Sequence, residues 1–170
     1  MVLISLICYV FLEEIYFKSL LVIVTWTYPG RKVDYIMHLK MSTDYAVRII
    51  IYLSEKQCRV SSKELSKKLV IPQNYIFKIL KILQESNLVN SYSGSDGGFI
   101  LKKEPKDITM FDIMQATETT TRINRCLEND EYCSRHATTN CKARCFYIKM
   151  QMYMDDTFKR MTIQDLLEMK

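Results

Sequence analysis

Glycine and proline are scarce in this chain, at four and three of 170 residues. That is too few for an all-β sandwich, which turns about every ten residues. Long apolar runs are also missing. The longest stretches without a charge are 12 residues, where a membrane-spanning helix needs about 18–20. Glu13 and Glu14 would lie near the middle of any span over the first 24 residues, where each carboxylate is costly. There is no basic start and no small-residue cleavage site of a secretory signal. Cysteine pairs with two intervening residues, the usual mark of structural zinc, do not occur. The only histidines, His38 and His136, have no convincing Ser, Cys or Asp partnership. Neither an enzyme nor any catalytic residue is therefore expected. What is present is 48% hydrophobic and 25% charged residues, the balance of an ordinary soluble globular protein. A chain this long buries roughly 70% of its unfolded surface, so folding as such requires neither disulfide nor metal.

Charge is unevenly placed. The chain carries 24 basic and 19 acidic side chains, a net of +5. Residues 1–36 and 111–170 are each balanced, so the whole excess falls within residues 37–110. Localised positive charge points to a polyanion, most often nucleic acid, with a solvated lysine face as the alternative. Residues 1–36 form an atypical hydrophobic extension. They are expected to be an upstream translation, with the functional chain starting at Met37; a membrane anchor is the alternative reading.

Helical periodicity begins at Asp44, with Ser42 and Thr43 as candidate caps and Ala46, Ile49, Ile50 and Leu53 on one face. Ser61 and Glu64 form a capping box for a short second helix to Leu69. After Val70-Ile71, Pro72 suits the first turn of a third helix. That helix carries Ile76, Ile79, Leu80 and Leu83 on one side, and Gln73, Asn74, Tyr75, Lys78 and Lys81 largely on the other. Such a pair matches a helix-turn-helix whose second helix enters the major groove. Leu88–Tyr92, a turn over Ser93–Gly98 and Phe99–Leu101 then read as a β-hairpin, the wing of a winged helix. The turn lacks the spacing and the following Lys-Ser/Thr of a P-loop.

The fold expected is thus mainly α with a small β-hairpin wing. Residues 37–108 form a winged helix-turn-helix DNA-binding domain, and residues 109–170 a cysteine-bearing loop and a long dimerisation helix. The residues expected at double-stranded DNA are Ser62, Gln73, Asn74, Tyr75, Lys78, Lys81, Ser93, Gly94, Ser95 and Lys102, with Lys103 and Lys106 near the hairpin base. Gln73, Asn74 and Tyr75 are placed at bases, Lys78 and Lys81 at phosphates; Tyr75 has core packing as its alternative. A fourth helix is signalled by Thr109 and Asp112. A long one follows from about Ala143, with Phe146, Met150, Tyr153, Thr157 and Met161 recurring every three or four residues. That stripe suits a homodimer seam, because near-palindromic DNA sites need two readers. Thr162 and Asp165 restart a short terminal helix.

Four of the six cysteines, Cys126, Cys133, Cys141 and Cys145, fall within 20 residues. The loop around them is polar. A disulfide framework needs an oxidising compartment, which a DNA-binding protein does not occupy. Metal binding remains, divided on chemistry alone between an iron–sulfur cluster, which accepts irregular loop spacings, and zinc.

Four motifs in order then resemble a known family. They are Ser42-Thr43-Asp44-Tyr45-Ala46-Val47-Arg48, Ile71-Pro72-Gln73-Asn74-Tyr75, Gly94-Ser95-Asp96-Gly97-Gly98-Phe99 and the Cys126/Cys133/Cys141 loop. Residues 37–170 are similar to the IscR/NsrR-type winged-helix regulators, the Rrf family. The resemblance implies a homodimeric, cytoplasmic transcription factor, in which an iron–sulfur cluster (2Fe–2S or 4Fe–4S) alters DNA affinity. It implies Cys126, Cys133 and Cys141 as ligands. The fourth position falls to Cys145, one helical turn beyond Cys141, or to Asp44, since in NsrR-type proteins the Asp of the first helix reaches the partner's cluster. Two positions depart from the pattern: Ser93 stands where the family often has a wing arginine, and Arg144 where some members use a histidine ligand. The second departure points to the NsrR-like subgroup, whose signal is nitric oxide.

Overall fold

The computed structural model describes residues 39–94, 96–130 and 132–169. The expectations for the extension 1–36, for a start at Met37 and for Ser95 lie outside the described residues. Helix α1 spans Met41–Lys56 and opens ahead of Asp44, with Lys40 as its cap. Ser42 and Thr43 are therefore not caps but first-turn residues. The reason is tertiary: the Thr43 hydroxyl is fully buried and bonds across to the Thr117 hydroxyl at 2.8 Å and to the Glu118 carboxylate.

Helix α2 is Ser62–Leu69, and the Ser61 hydroxyl accepts the Glu64 N–H at 3.2 Å. The reciprocal half of the expected box is diverted, since Glu64 Oε1 accepts the Tyr52 hydroxyl at 2.8 Å. Helix α3, Gln73–Glu85, follows a turn in which Val70 adopts φ 55° and Pro72 stands at the cap. A β-branched residue in left-handed backbone costs about 1–2 kcal/mol. Val70 is also 87% exposed and gains little by burial. Val70→Asn is thus expected to stabilise the chain by about 1 kcal/mol, seen as a raised thermal midpoint.

Strands β1 (Val89–Tyr92) and β2 (Gly98–Leu101) pair antiparallel, from Val89 opposite Leu101 to Tyr92 opposite Gly98. Val60 adds a bridge to Phe99 through two backbone bonds of 2.9 Å. Gly98 permits this approach: a Cβ there would lie 2.9 Å from the Val60 carbonyl oxygen.

Helix α4 (Met110–Thr117) opens on a complete capping box between Thr109 and Asp112, as the spacing predicts. Helix α5 covers Lys142–Arg160. Helix α6, Ile163–Glu168, opens on the Thr162/Asp165 box. The segment from α4 through α5 is closed at its base by a backbone clasp. Met110 N–H bonds Met161 O at 2.9 Å, Ile163 N–H bonds Ile108 O at 2.9 Å, and Thr109 bridges Thr162. One core collects Ala46, Ile49, Ile50 and Leu53 of α1 with Ile76, Ile79, Leu80 and Leu83 of α3. Ile108, Ile113 and Ile163 belong to the same core. The result is mainly helical with a two-stranded wing, a winged helix-turn-helix as expected. No helix among the described residues is long and apolar enough to cross a membrane.

Candidate nucleic-acid interface and cysteine segment

Burial of Ile76, Ile79, Leu80 and Leu83 fixes the rotation of α3 and leaves Gln73, Asn74, Tyr75, Lys78 and Lys81 exposed, as their spacing predicts. Tyr75 divides its area. It is 48% exposed, yet its ring meets Tyr45 edge-on at 6.1 Å, so part of it packs against α1. Phe77 lies in the same outward row, between Asn74 and Lys81, and is 52% exposed. Sequence reasoning passed over it because an aromatic in an amphipathic helix is ordinarily assigned to the core. Ser62 is half-buried at the first position of α2.

On the wing, Ser93 and Gly94 are exposed at the turn. The lysines near its base are partly committed elsewhere. Lys102 donates to Asn87 Oδ1 at 2.6 Å, and Lys106 pairs with Glu104 at 2.6 Å. On α3, Lys81 stands 4.0 Å from Glu85, a loose exposed pair. Arg59, which carries no periodic signal in the sequence, places its guanidinium 4.0 Å over the Tyr92 ring at the end of β1.

The cysteine segment is held by polar groups. Cys126 lies in a 3-10 turn over Arg125–Leu127, and its N–H donates to Asn124 Oδ1 at 3.1 Å. Arg125 is paired with Asp130 and lies over the Tyr132 ring. The neighbouring backbone N–H groups of Ala137, Arg135 and His136 hold the Cys133 thiol below the ordinary range, and the His136 N–H itself donates to the Cys133 carbonyl at 3.0 Å. Cys141 is the cap of α5, where its sulfur accepts the Arg144 N–H at 3.4 Å. Cys145 follows one turn later and is exposed, its N–H donating to Cys141 O at 3.1 Å. Arg144 Nε donates to the Cys126 carbonyl at 3.2 Å, tying the first cysteine turn to the start of α5. Gln151, 5% exposed, completes the attachment. Its Oε1 accepts the Ile123 N–H at 2.9 Å and its amide donates to Thr121 O at 3.0 Å. A lone glutamine in a long helix gave no warning of this clamp.

None of these cysteines is in a disulfide. Among the described residues, no three His, Cys, Asp or Glu side chains converge closely enough to hold a metal ion. Asp44, on α1, is paired with Arg48 at 2.8 Å. The route from cysteine segment to α1 runs through Glu118, just beyond α4. Burial would push its carboxyl up, but the Thr43 hydroxyl and the Lys40 N–H and ammonium outweigh this and hold it below the usual range. The α5 stripe is not intramolecular core: Phe146 is 58% exposed and Tyr153 70%, with Met150 also open.

Comparison with known proteins agrees with this geometry. A putative HTH-type transcriptional regulator of Aquifex aeolicus is 31% identical over 127 residues, 74% of this chain and 88% of that protein. The HTH-type transcriptional regulator NsrR of Shouchella clausii is 28% identical over 96 residues, 55% of this chain and 64% of the relative. Among solved structures, CymR, the global cysteine regulator of B. subtilis, superposes with a TM-score of 0.62 at 23% identity. That match covers 77% of this chain and 96% of CymR. The model of the Rrf2 family, described as iron-dependent transcriptional regulators, matches residues 39–169. With its wing, its outward-facing third helix and its cysteine segment, the chain belongs to the Rrf2 family of transcriptional regulators.

Proposed function

We propose that the chain is a homodimeric, cytoplasmic repressor that binds a near-palindromic DNA operator and releases or retains it according to the state of an iron–sulfur cluster. The signal would be nitric oxide, redox state or iron–sulfur status. The observation that carries the DNA half is the exposed row Gln73, Asn74, Phe77, Lys78 and Lys81 on a helix whose other face is locked into the core. Residues 39–108 supply that reader. Residues 109–169 supply the cysteine segment and, in the open apolar stripe of α5, a seam for the second protomer.

The donor set fits a cluster chemically. Cys126, Cys133 and Cys141 are half-buried, undisulfided thiols in a polar loop, and three backbone N–H groups stabilise negative charge on one of them. Cys145 is the first candidate for the fourth position and Asp44 the second. Bound there, a cluster would supply a redox- and gas-reactive centre whose ligation draws the loop together. The chain's own residues carry the consequence. Arg144 and Gln151 couple the segment to α5, and Glu118 with Thr43 couples it to the start of α1. A change in the segment then biases the spacing of the two recognition helices. The second reading is a zinc-stabilised winged helix that senses nothing, favoured only by the same thiols. Anaerobic purification separates the two. Brown protein with visible absorption, and DNA binding altered by nitric oxide, is expected; colourless, zinc-loaded protein would overturn the cluster reading.

Base reading and phosphate binding separate by mutation. Asn74→Ala should relax sequence preference at one position by about 1–3 kcal/mol. Lys81→Gln should weaken all sequences alike and flatten the salt dependence by about one unit. Titrations against matched and scrambled duplexes at several salt concentrations check both.

A further inference from the structure

The wing of this chain presents DNA with an electrostatic deficit. Its turn, residues 93–97, contains the carboxylate of Asp96 and no cation. Of the lysines after β2, Lys102 donates to Asn87 and Lys106 pairs with Glu104, while exposed Lys103 stands two residues past Leu101, at the base of the hairpin and not at its turn. A winged helix approaching a phosphate backbone needs a positive group there.

The geometry points to Arg59 as that group: we propose that Arg59, held over the Tyr92 ring, is the wing's contact with the DNA phosphate backbone. This rests on the reading of the chain as a DNA-binding regulator. Three features place the side chain. The Val60–Phe99 bridge, with backbone bonds of 2.9 Å in both directions, attaches the residue next to Arg59 to β2 as a short third strand. Gly98 allows that approach, since a Cβ there would press on the Val60 carbonyl at 2.9 Å. Tyr92, the last residue of β1, then lies under the guanidinium at 4.0 Å.

Both side chains are exposed, Tyr92 by 43%. No carboxylate among the described residues forms an ion pair with Arg59. A guanidinium stacked on an aromatic face keeps its edge N–H donors free. It is planar, permanently charged and already restricted in rotation, so little freedom is lost when it meets a phosphate. Tyr92 is in this account a positioning residue, and Arg59 the contact.

The test uses the full chain, a fluorescent DNA duplex of mixed sequence, and dissociation constants measured across a salt series. Arg59→Gln should weaken binding about tenfold and lower the slope of log affinity against log salt by about 0.9. Tyr92→Leu keeps the charge and loses the platform. It should keep the slope and weaken binding only a few-fold, with an unchanged circular-dichroism melt showing that the hairpin survives. Lys78→Gln on the recognition helix serves as the control. If Arg59→Gln leaves affinity and slope unchanged while Lys78→Gln lowers both, the Arg59 assignment is wrong and the DNA reading stands. If the wild-type chain shows no salt-dependent binding, both fall.

Discussion

Replacing Ile163 with alanine is expected to destabilise the chain by about 2–5 kcal/mol, as for other fully buried isoleucines cut back to a methyl group. Ile163 has no exposed surface and packs in the same core as Ile108 and Ile113. Its N–H also donates to the Ile108 carbonyl at 2.9 Å. Alanine keeps that bond and leaves a cavity where α6 meets the body of the protein. The thermal midpoint should fall by about 4–20 °C, given a few degrees per kcal/mol for a domain of this size. DNA binding measured well below the transition should be nearly unchanged, because Ile163 is fully buried in the core whereas the outward row of α3 is exposed. A midpoint within a degree or two of wild type would show that α6 is an ornament and not part of the core.

Cys133→Ala should do the opposite, sparing stability and removing the response. The residue lies in a polar loop and is only half-buried, so the melt should stay within about 1 kcal/mol of wild type. Its thiol is the one that neighbouring backbone N–H groups hold below the ordinary range. Under the proposed function, anaerobically reconstituted Cys133→Ala should lose most visible absorption. Its DNA affinity should match that of cluster-free wild type, a shift on the order of a hundredfold for a coupling of about 3 kcal/mol. The same measurement ranks the fourth ligand. Cys145→Ala is expected to alter the spectrum more than Asp44→Ala. The reverse order would assign the position to the carboxylate. Asp44→Ala also removes the Arg48 ion pair, so its melt must be recorded beside its spectrum.

The helix-turn-helix and wing were legible because their signals are local. The apolar spacing of Ile76, Ile79, Leu80 and Leu83 fixes one helix face, and the Thr109/Asp112 and Thr162/Asp165 boxes fix two helix starts from four residues each. What escaped notice depends on partners distant in sequence. Ser42 and Thr43 have the chemistry of caps, but the pull of Thr117 and Glu118 draws Thr43 inside the helix. Glu64 has the spacing of a capping box, and Tyr52 takes its carboxylate. Gln151 and Arg144 are unremarkable in a helix until the chain at Thr121–Cys126 folds onto them. Arg59 and Phe77 escaped for a related reason. The importance of each lies in which surface it shares, and periodicity carries no such information for a residue in the short connection between α1 and α2 or for an aromatic on the wet side of a helix.

The backbone clasp joining Ile108–Met110 to Met161–Ile163 has a consequence for how the family can vary. It closes a detour of about 50 residues that begins with α4, itself anchored by Ile113 in the core and by Thr117 and Glu118 on Thr43, and that continues through every clustered cysteine and all of α5. Closing a loop of that length costs on the order of 3–4 kcal/mol beyond a constant, and doubling it adds only about 0.6 kcal/mol. The part of the detour beyond Glu118 can therefore be lengthened or shortened with little penalty at the neck. Under the proposed function, sensory chemistry would thus be free to diversify while the reading head stays as it is, and one DNA-binding frame could be inherited by descendants that answer to different stimuli.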